Sequence, residues 1–425
     1  MLGTIFILSF LVLIVLRLPI AFCLGVSSLI FFVGSGTSLR TIPQIMTTTF
    51  ESFPLLAIPL FMLAGELMNY GGITQRLFGF AIKLVGHIKG GLAHVNIVAN
   101  MIMAGMSGSA VADASGIGAI AIKSMEKEGF DVEFSAAITA AASTIGPIIP
   151  PSIPFVVFAA TSNVSVGGLF AGGAVPGVLM GIFLMVTSYF LSIRRGYPCH
   201  KRATFKEISM AFGKALPPLL TPLIIIGGIL TGIFTPTEAA GIAAFYGLIL
   251  GLFIYKELKW RDIYRVFLEV GKTSSSIMII ISMSSVFAYI LAYEGIAQKV
   301  ADLLLGFSTN PLVIFLIINI LLLLVGCFME PMSVLLVLIP MLLPVVDKVG
   351  IDRLHFGVVV VLNLMIGLIT PPVGVCLYVV AKIANISFER TVKGVWPFVI
   401  TLIVVLFLIT YVPVLVTFLP NLIFK

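Results

Sequence analysis

Inside an apolar run at roughly 134–160 stands the stretch Thr144-Ile145-Gly146-Pro147-Ile148-Ile149-Pro150-Pro151-Ser152. Its prolines and glycine cannot stay helical, because each proline removes an N–H donor and clashes with the preceding turn. Met365-Ile366-Gly367-Leu368-Ile369-Thr370-Pro371-Pro372-Val373 repeats the pattern. Two more interruptions, Gly105-Met106-Ser107-Gly108-Ser109-Ala110 and Gly326-Cys327-Phe328-Met329-Glu330-Pro331, set hydroxyls, glycines and an acid among apolar neighbours. The chemistry open to such residues is ion binding. Carbonyls at the end of one half-helix suit a small hard cation, and amides at the start of the next suit an anion. For Na+ the expected oxygen donors are Ser107, Ser109, Gly146, Ile149 and Pro151 in the first half, then Gly326, Gly367, Thr370 and Pro372 in the second. Substrate contacts are expected from Ser109, from Ser152 at the start of a half-helix, and from Glu330.

An acid at membrane depth is costly and marks function by default. Glu330 is suited to hydrogen-bonding a substrate, to tuning the ion site or to carrying a proton. Asp113 is its rough counterpart in the first half, with helix capping as the alternative role. Glu66 and Glu238 read as holding helix packing or loop geometry. The sequence shows no nucleotide-binding loop, metal-ligand cluster or nucleophile–base pairing. ATP-driven pumping and enzymatic catalysis both lack their parts.

Membrane helices must position these residues. The chain has 425 residues, 60% of them hydrophobic and 10% charged, with mean hydropathy +1.19. Apolar runs near 20 residues recur, so the expectation is an all-α polytopic membrane protein in the lipid bilayer. A β-barrel would alternate in short strands. The net charge of +7 belongs to cytoplasmic loops rather than to a nucleic-acid face. Cys23, Cys199, Cys327 and Cys376 have no metal or redox spacing. Residues 1–16 lack a basic leader and a cleavage site, and are expected to be a retained helix.

The chain divides into six parts. Residues 1–91 are scaffold helices, with a tight pair broken at Arg17-Leu18-Pro19 and an interfacial arm near 75–89. Residues 92–166 hold a re-entrant hairpin and a broken helix, and 167–213 a connecting helix near 172–193 and a basic loop. Residues 214–310 bring a second scaffold pair at 215–233 and 238–255, a basic arm through Lys259 to Lys272, and a helix at 273–292. Residues 311–388 hold the second hairpin and broken helix, and 389–425 a last helix near 395–418. Gly105 with Gly326, Gly146 with Gly367, Pro150-Pro151 with Pro371-Pro372, and Pro176 with Pro397 share one offset of about 221 residues. That is a duplicated fold. Threaded from an outside N-terminus, about 20 of the 25 Lys and Arg fall inside. The two halves then run in opposite orientation, the inverted repeat of secondary transporters.

The run Gly232-Ile233-Phe234-Thr235-Pro236-Thr237-Glu238-Ala239-Ala240, the tip Ser107-Gly108-Ser109-Ala110 and the Ile-Gly-x-Ile-x-Pro-Pro breaks resemble the large membrane subunit of tripartite ATP-independent periplasmic (TRAP) transporters, nearest its sialic-acid branch. The resemblance covers essentially the whole chain. It implies an elevator-type, Na+-coupled importer of the ion-transporter superfamily in a bacterial inner membrane, with at least two Na+ sites. It implies a small carboxylate substrate, sialic acid or a C4-dicarboxylate, and a periplasmic binding protein that delivers it. It also implies a small four-helix membrane subunit, here expected as a separate chain. Family members often carry aspartate where Glu330 stands, so the longer side chain here bears on substrate contact. The rival readings are a single-component Na+/carboxylate symporter and, from a different class, an ion channel using the breaks as a filter.

An elevator requires residues 92–164 and 312–385 to move as one body against 2–70 and 215–292. Cysteine cross-links between the two groups should trap the inward state and stop transport, and links within either group should leave it intact. Harmless links between groups would instead favour a fixed pore.

Overall fold

Every regular element described is helical. The computed structural model describes residues 2–16 and 18–424, so Arg17, part of the expected first break, lies outside the described residues. α1 (Leu2–Val15) and α2 (Ile20–Ser35) form the first pair, and a short α3 (Thr41–Phe50) follows. A 3-10 turn at Phe53–Leu56 leads into α4 (Ala57–Tyr70), then α5 (Ile73–Val85). Next come α6 (Gly91–Ser107), α7 (Ala110–Lys127), α8 (Val132–Ser143), α9 (Ile153–Ser162) and α10 (Val166–Arg195). α11 (Phe205–Leu230) and α12 (Pro236–Ile249), which ends in a π turn at Leu250–Ile254, precede α13 (Trp260–Tyr293). The chain closes with α14 (Ile296–Phe307), α15 (Pro311–Gly326), α16 (Pro331–Lys348), α17 (Arg353–Gly367), α18 (Val375–Ala384), α19 (Phe388–Tyr411) and α20 (Val414–Ile423). Among the described residues, seven helices are long and apolar enough to cross a membrane, or up to eight with the bent α14–α15 pair as one span. The order of α5–α10 recurs as α14–α19.

Capping decides several boundaries that hydropathy misplaces. The connecting helix α10 starts at Val166, earlier than its apolar centre suggests, because Ser165 accepts from the Gly168 amide at 3.2 Å. α11 starts at Phe205, ahead of its apolar stretch. Thr204 and Glu207 form a capping box there, each side chain accepting from the other's amide. The basic arm at 259–272 is not a separate element. It is the first part of one 34-residue helix, α13, which no proline interrupts. The last apolar helix begins at Phe388 and ends at Tyr411, and Pro413 starts α20.

Glu238 holds loop geometry, accepting from the Thr235 amide at 2.8 Å at the start of α12. On the basic side, the loop after α10 is tied back to the α7–α8 turn. Arg195 donates to Asp131 at 2.9 Å, and the Tyr197 hydroxyl donates to the same carboxylate at 2.5 Å. Burial and that carboxylate push the Tyr197 phenol up to about 12, so it stays a donor.

The packing falls into an outer and an inner set. α4 packs on α12 and α13, α5 on α11, and α2 on α1 and α13. Phe6 and Phe10 meet Phe287 of α13 at ring distances of 4.5 and 4.8 Å, in an apolar cluster separate from the main core. Inside, α7 packs on α8 and α18, α8 on α19, and α16 on α9 and α17. The inner helices approach closely through small residues. A Cβ on Gly357 of α17 would lie 2.5 Å from the buried Phe158 ring of α9. Gly357→Val should therefore destabilise the protein by about 1–3 kcal/mol through overpacking. Thermal melting of the purified chain measures this, and an unchanged melting temperature would show that the α9–α17 contact can yield.

Candidate functional site

Both expected breaks exist as gaps between helices. α8 ends at Ser143 and α9 starts at Ile153, while α17 ends at Gly367 and α18 starts at Val375. The Pro150-Pro151 and Pro371-Pro372 bonds are cis. The freed backbone groups find partners inside the protein, as they must at membrane depth. Ser152, fully buried, donates to the Pro147 carbonyl at 2.5 Å and accepts from the Phe155 amide at 3.2 Å. In the second gap, Val373 N–H reaches the Cys327 carbonyl at 3.2 Å, and Cys376 N–H the Leu368 carbonyl at 3.0 Å.

Each tip is pressed against its break. Gly108 turns the chain at φ +59, where glycine has no Cβ penalty. A Cβ there would also lie 2.7 Å from the Pro151 carbonyl. In the second half, a Cβ on Gly367 would sit 2.6 Å from the Gly326 carbonyl. Ser107, Ser109, Gly146 and Pro151 thus gather in one place, and Gly326, Gly367 and Thr370 in another. The Ile149 side chain packs towards Gly177 of α10, and the Thr370 hydroxyl donates to Ile366 O at 2.7 Å. Pro372 is exposed beside its break.

Asp113 stands between the first tip and the first break. Its Oδ1 accepts from the Ser107 hydroxyl at 2.6 Å. Its Oδ2 is buried without a hydrogen-bond partner, and a Cβ on Gly146 would collide with it. The capping alternative for Asp113 is thereby corrected, since Ser109 caps α7 by accepting from Ala112 N–H at 3.4 Å. Glu330 occupies the equivalent cap of α16, accepting from Ser333 N–H at 3.1 Å. The repeat offset likewise pairs Glu330 with Ser109. An orphaned buried carboxylate oxygen among polar neighbours is chemically suited to holding a cation, because an unpartnered buried charge is otherwise expensive.

A cavity of about 420 Å³ opens where both tips and both breaks meet α4 and α13. Ser107, Ser109 and Glu330 line it; Ser152 does not. The first turns of four helices contribute to its wall: Ala110 of α7, Ile153 of α9, Pro331 of α16 and Val375 of α18. Each helix start carries roughly half a positive charge, with Ser109, Ser152 and Glu330 capping the starts of α7, α9 and α16. The opposite wall is Gly65, Glu66 and Thr273. Gly65 lets α4 approach the tip, since a Cβ there would be 3.1 Å from Ser107 Cα. Glu66, expected to hold helix packing, lies on this wall. The signal that finds it is the one that found Glu330: an acid within an apolar helix.

A protein-family model described as "Tripartite ATP-independent periplasmic transporter, DctM component" matches residues 7–415. The chain belongs to the DctM family. Among curated proteins, this permease is similar to the sialic acid TRAP transporter large permease protein SiaM of Vibrio cholerae. The two are 44% identical over 423 residues, 99% of each chain. It is 40% identical over 399 residues to the C4-dicarboxylate TRAP transporter large permease protein DctM of Pseudomonas aeruginosa, covering 94% of this chain and 93% of that one. The Alcanivorax borkumensis YdaH transporter shares the fold, with TM-score 0.64 at 14% identity over 88% of both chains. The resemblance seen in the Gly232–Ala240 run and the two breaks is family membership, and the permease is a multi-pass helical membrane transporter component.

The close contacts carry a test. Gly146→Val and Gly367→Val should each cut uptake at least tenfold in protein that still folds and inserts, because the first displaces the Asp113 carboxylate and the second forces the tip at Gly326 away from its break. Gly271→Ala on α13, with open space around it, should transport normally. Unimpaired uptake by either valine variant would show that these contacts do not shape the site.

Proposed function

We propose that this permease is the membrane core of a Na+-coupled importer of a small carboxylate, acting by an elevator movement. The observation that carries the reading is the cavity shared by four helix starts, with the partnerless Asp113 oxygen just behind its wall. The helix starts favour a carboxylate in the cavity. A Na+ ion beside Asp113, Ser107, Gly146 and Pro151 would neutralise the buried charge. A second Na+ near Gly326, Gly367 and Thr370 would complete the related site of the other half. Ser109 and Glu330 face the substrate from the two tips, and Glu66 and Thr273 face it from the opposite wall. Moving the tips and breaks past α4 and α13 would carry both ligands across, driven by the Na+ gradient rather than by ATP.

The names of the relatives support a sialic-acid or C4-dicarboxylate substrate. The family's tripartite description supports a small four-helix membrane subunit and a periplasmic binding protein as partners. The family supports an inner-membrane location, and the distribution of Lys and Arg supports both termini periplasmic.

Uptake of labelled sialic acid and of a C4-dicarboxylate into proteoliposomes tests this, with and without the binding protein. Uptake should need both the binding protein and an inward Na+ gradient. Asp113→Asn should raise the Na+ concentration for half-maximal uptake at least tenfold. Equal uptake in K+ or choline, without a proton gradient, would overturn the coupling, and uptake without a binding protein would favour a single-component symporter.

A further inference from the structure

A smaller cavity, of about 190 Å³, lies further along the same helices that line the first. On α13 the first cavity meets Thr273 and Ile277, and the smaller one meets Ile281 and Ser285. On α9 the lining moves from Ile153 to Val157 and Thr161, and on α16 from Met332 to Leu336. Glu66 of α4 gives way to Leu55 in the turn before that helix. From Ile277 to Ser285 is about 12 Å at the helical rise. The offset points away from the basic start of α13, with its Arg261, Arg265 and Lys272. Resting on the elevator reading, we propose that this cavity marks the outer station of the substrate site. There Ser52 and Ser285 replace Glu66 and Thr273 as the fixed wall around a small carboxylate.

The cavity straddles the two groups that an elevator separates. Thr49, Ser52 and Ser285 belong to the frame, and Val157, Thr161 and Leu336 to the moving body. An outward stroke of about 12 Å would carry Ser109 and Glu330 from the level of Thr273 and Ile277 to that of Ile281 and Ser285. The smaller cavity has less than half the volume of the first, as a station closed while the tips stand at the other level should.

Its polar lining is hydroxyl, from Thr49, Ser52, Thr161 and Ser285, with no charged side chain. Ser285 donates to the Ile281 carbonyl at 3.1 Å and Thr49 to the Ile45 carbonyl at 2.8 Å. A hydroxyl bonded to its own helix can turn and donate to a carboxylate instead. Such groups are satisfied while the tips are at the inner level, and available once the substrate arrives. Apolar side chains would pack as well beside the buried Leu55 and Leu336, but would leave a carboxylate at this depth without partners.

Uptake of labelled sialic acid and of labelled succinate is measured in proteoliposomes with the binding protein and a Na+ gradient. Ser285→Phe, which fills the cavity, should cut uptake at least tenfold. Binding of the same carboxylate to the purified permease, at the inner station, should stay within twofold, and the melting temperature should not fall. Ser52→Ala/Ser285→Ala, which keeps the space and removes the hydroxyls, should lower uptake at least fivefold with the same unchanged binding. If Ser285→Phe does not fold, the alanine pair carries the test. Normal uptake by either variant, with the unaltered permease active, would overturn the outer station and leave the elevator reading standing. An equal loss of inner-station binding would also overturn it, since that marks a packing role. An unaltered permease without Na+-driven uptake, or with harmless cross-links between the two groups, would overturn the elevator reading and the outer station together.

Discussion

A backbone amide or carbonyl released from its helix inside a bilayer has no water to bond, and each one left unsatisfied costs several kcal/mol. The rest of this molecule is arranged around that cost. The first break is enclosed by other helices, and Ser152 spans it by bonding the Pro147 carbonyl and the Phe155 amide. The second is closed by the tip itself, through Cys327 O and Val373 N–H. Tip and break must therefore touch, which the missing side chains of Gly108 and Gly367 permit. Once they touch, the half-helices on either side have no choice but to begin at the same place. The convergence of helix starts on the cavity follows from satisfying the backbone.

This explains which parts of the site were legible in the sequence. Prolines and glycines that interrupt an apolar run are local signals, so the tips, the breaks and their recurrence could be read from composition alone. The order of helices followed for the same reason. What could not be read was whatever depends on contacts distant in sequence. Glu66 belongs to the cavity only because α4 crosses the first tip at Gly65. The pairing of Glu330 with Asp113 rested on charge type, whereas capping geometry and the repeat offset both pair it with Ser109.

Helix boundaries show a similar division. Apolar length located the spans but not their ends, because ends are decided by caps in polar flanks. Thr204 with Glu207 and Ser165 before Val166 each extend a helix beyond its hydrophobic stretch. The basic arm before α13 looked separate because its charges are interfacial. Helical hydrogen bonding is indifferent to that change of surroundings, and without a proline the helix runs straight from interface into membrane.

The unlike caps at the two tips give the duplicated architecture a direction. Two related halves closing around one ligand would present it with nearly the same surroundings from either end, and an asymmetric molecule would then bind in two poses of similar energy. Here one end of the cradle offers the Ser109 hydroxyl and the other the Glu330 carboxylate, both on the cavity wall. A molecule with an acidic end and a hydroxylated end meets repulsion in one pose and hydrogen bonding in the other. The tips differ at Ser107/Phe328, Gly108/Met329 and Ser109/Glu330, and the last of these makes the site asymmetric in charge as well as in shape.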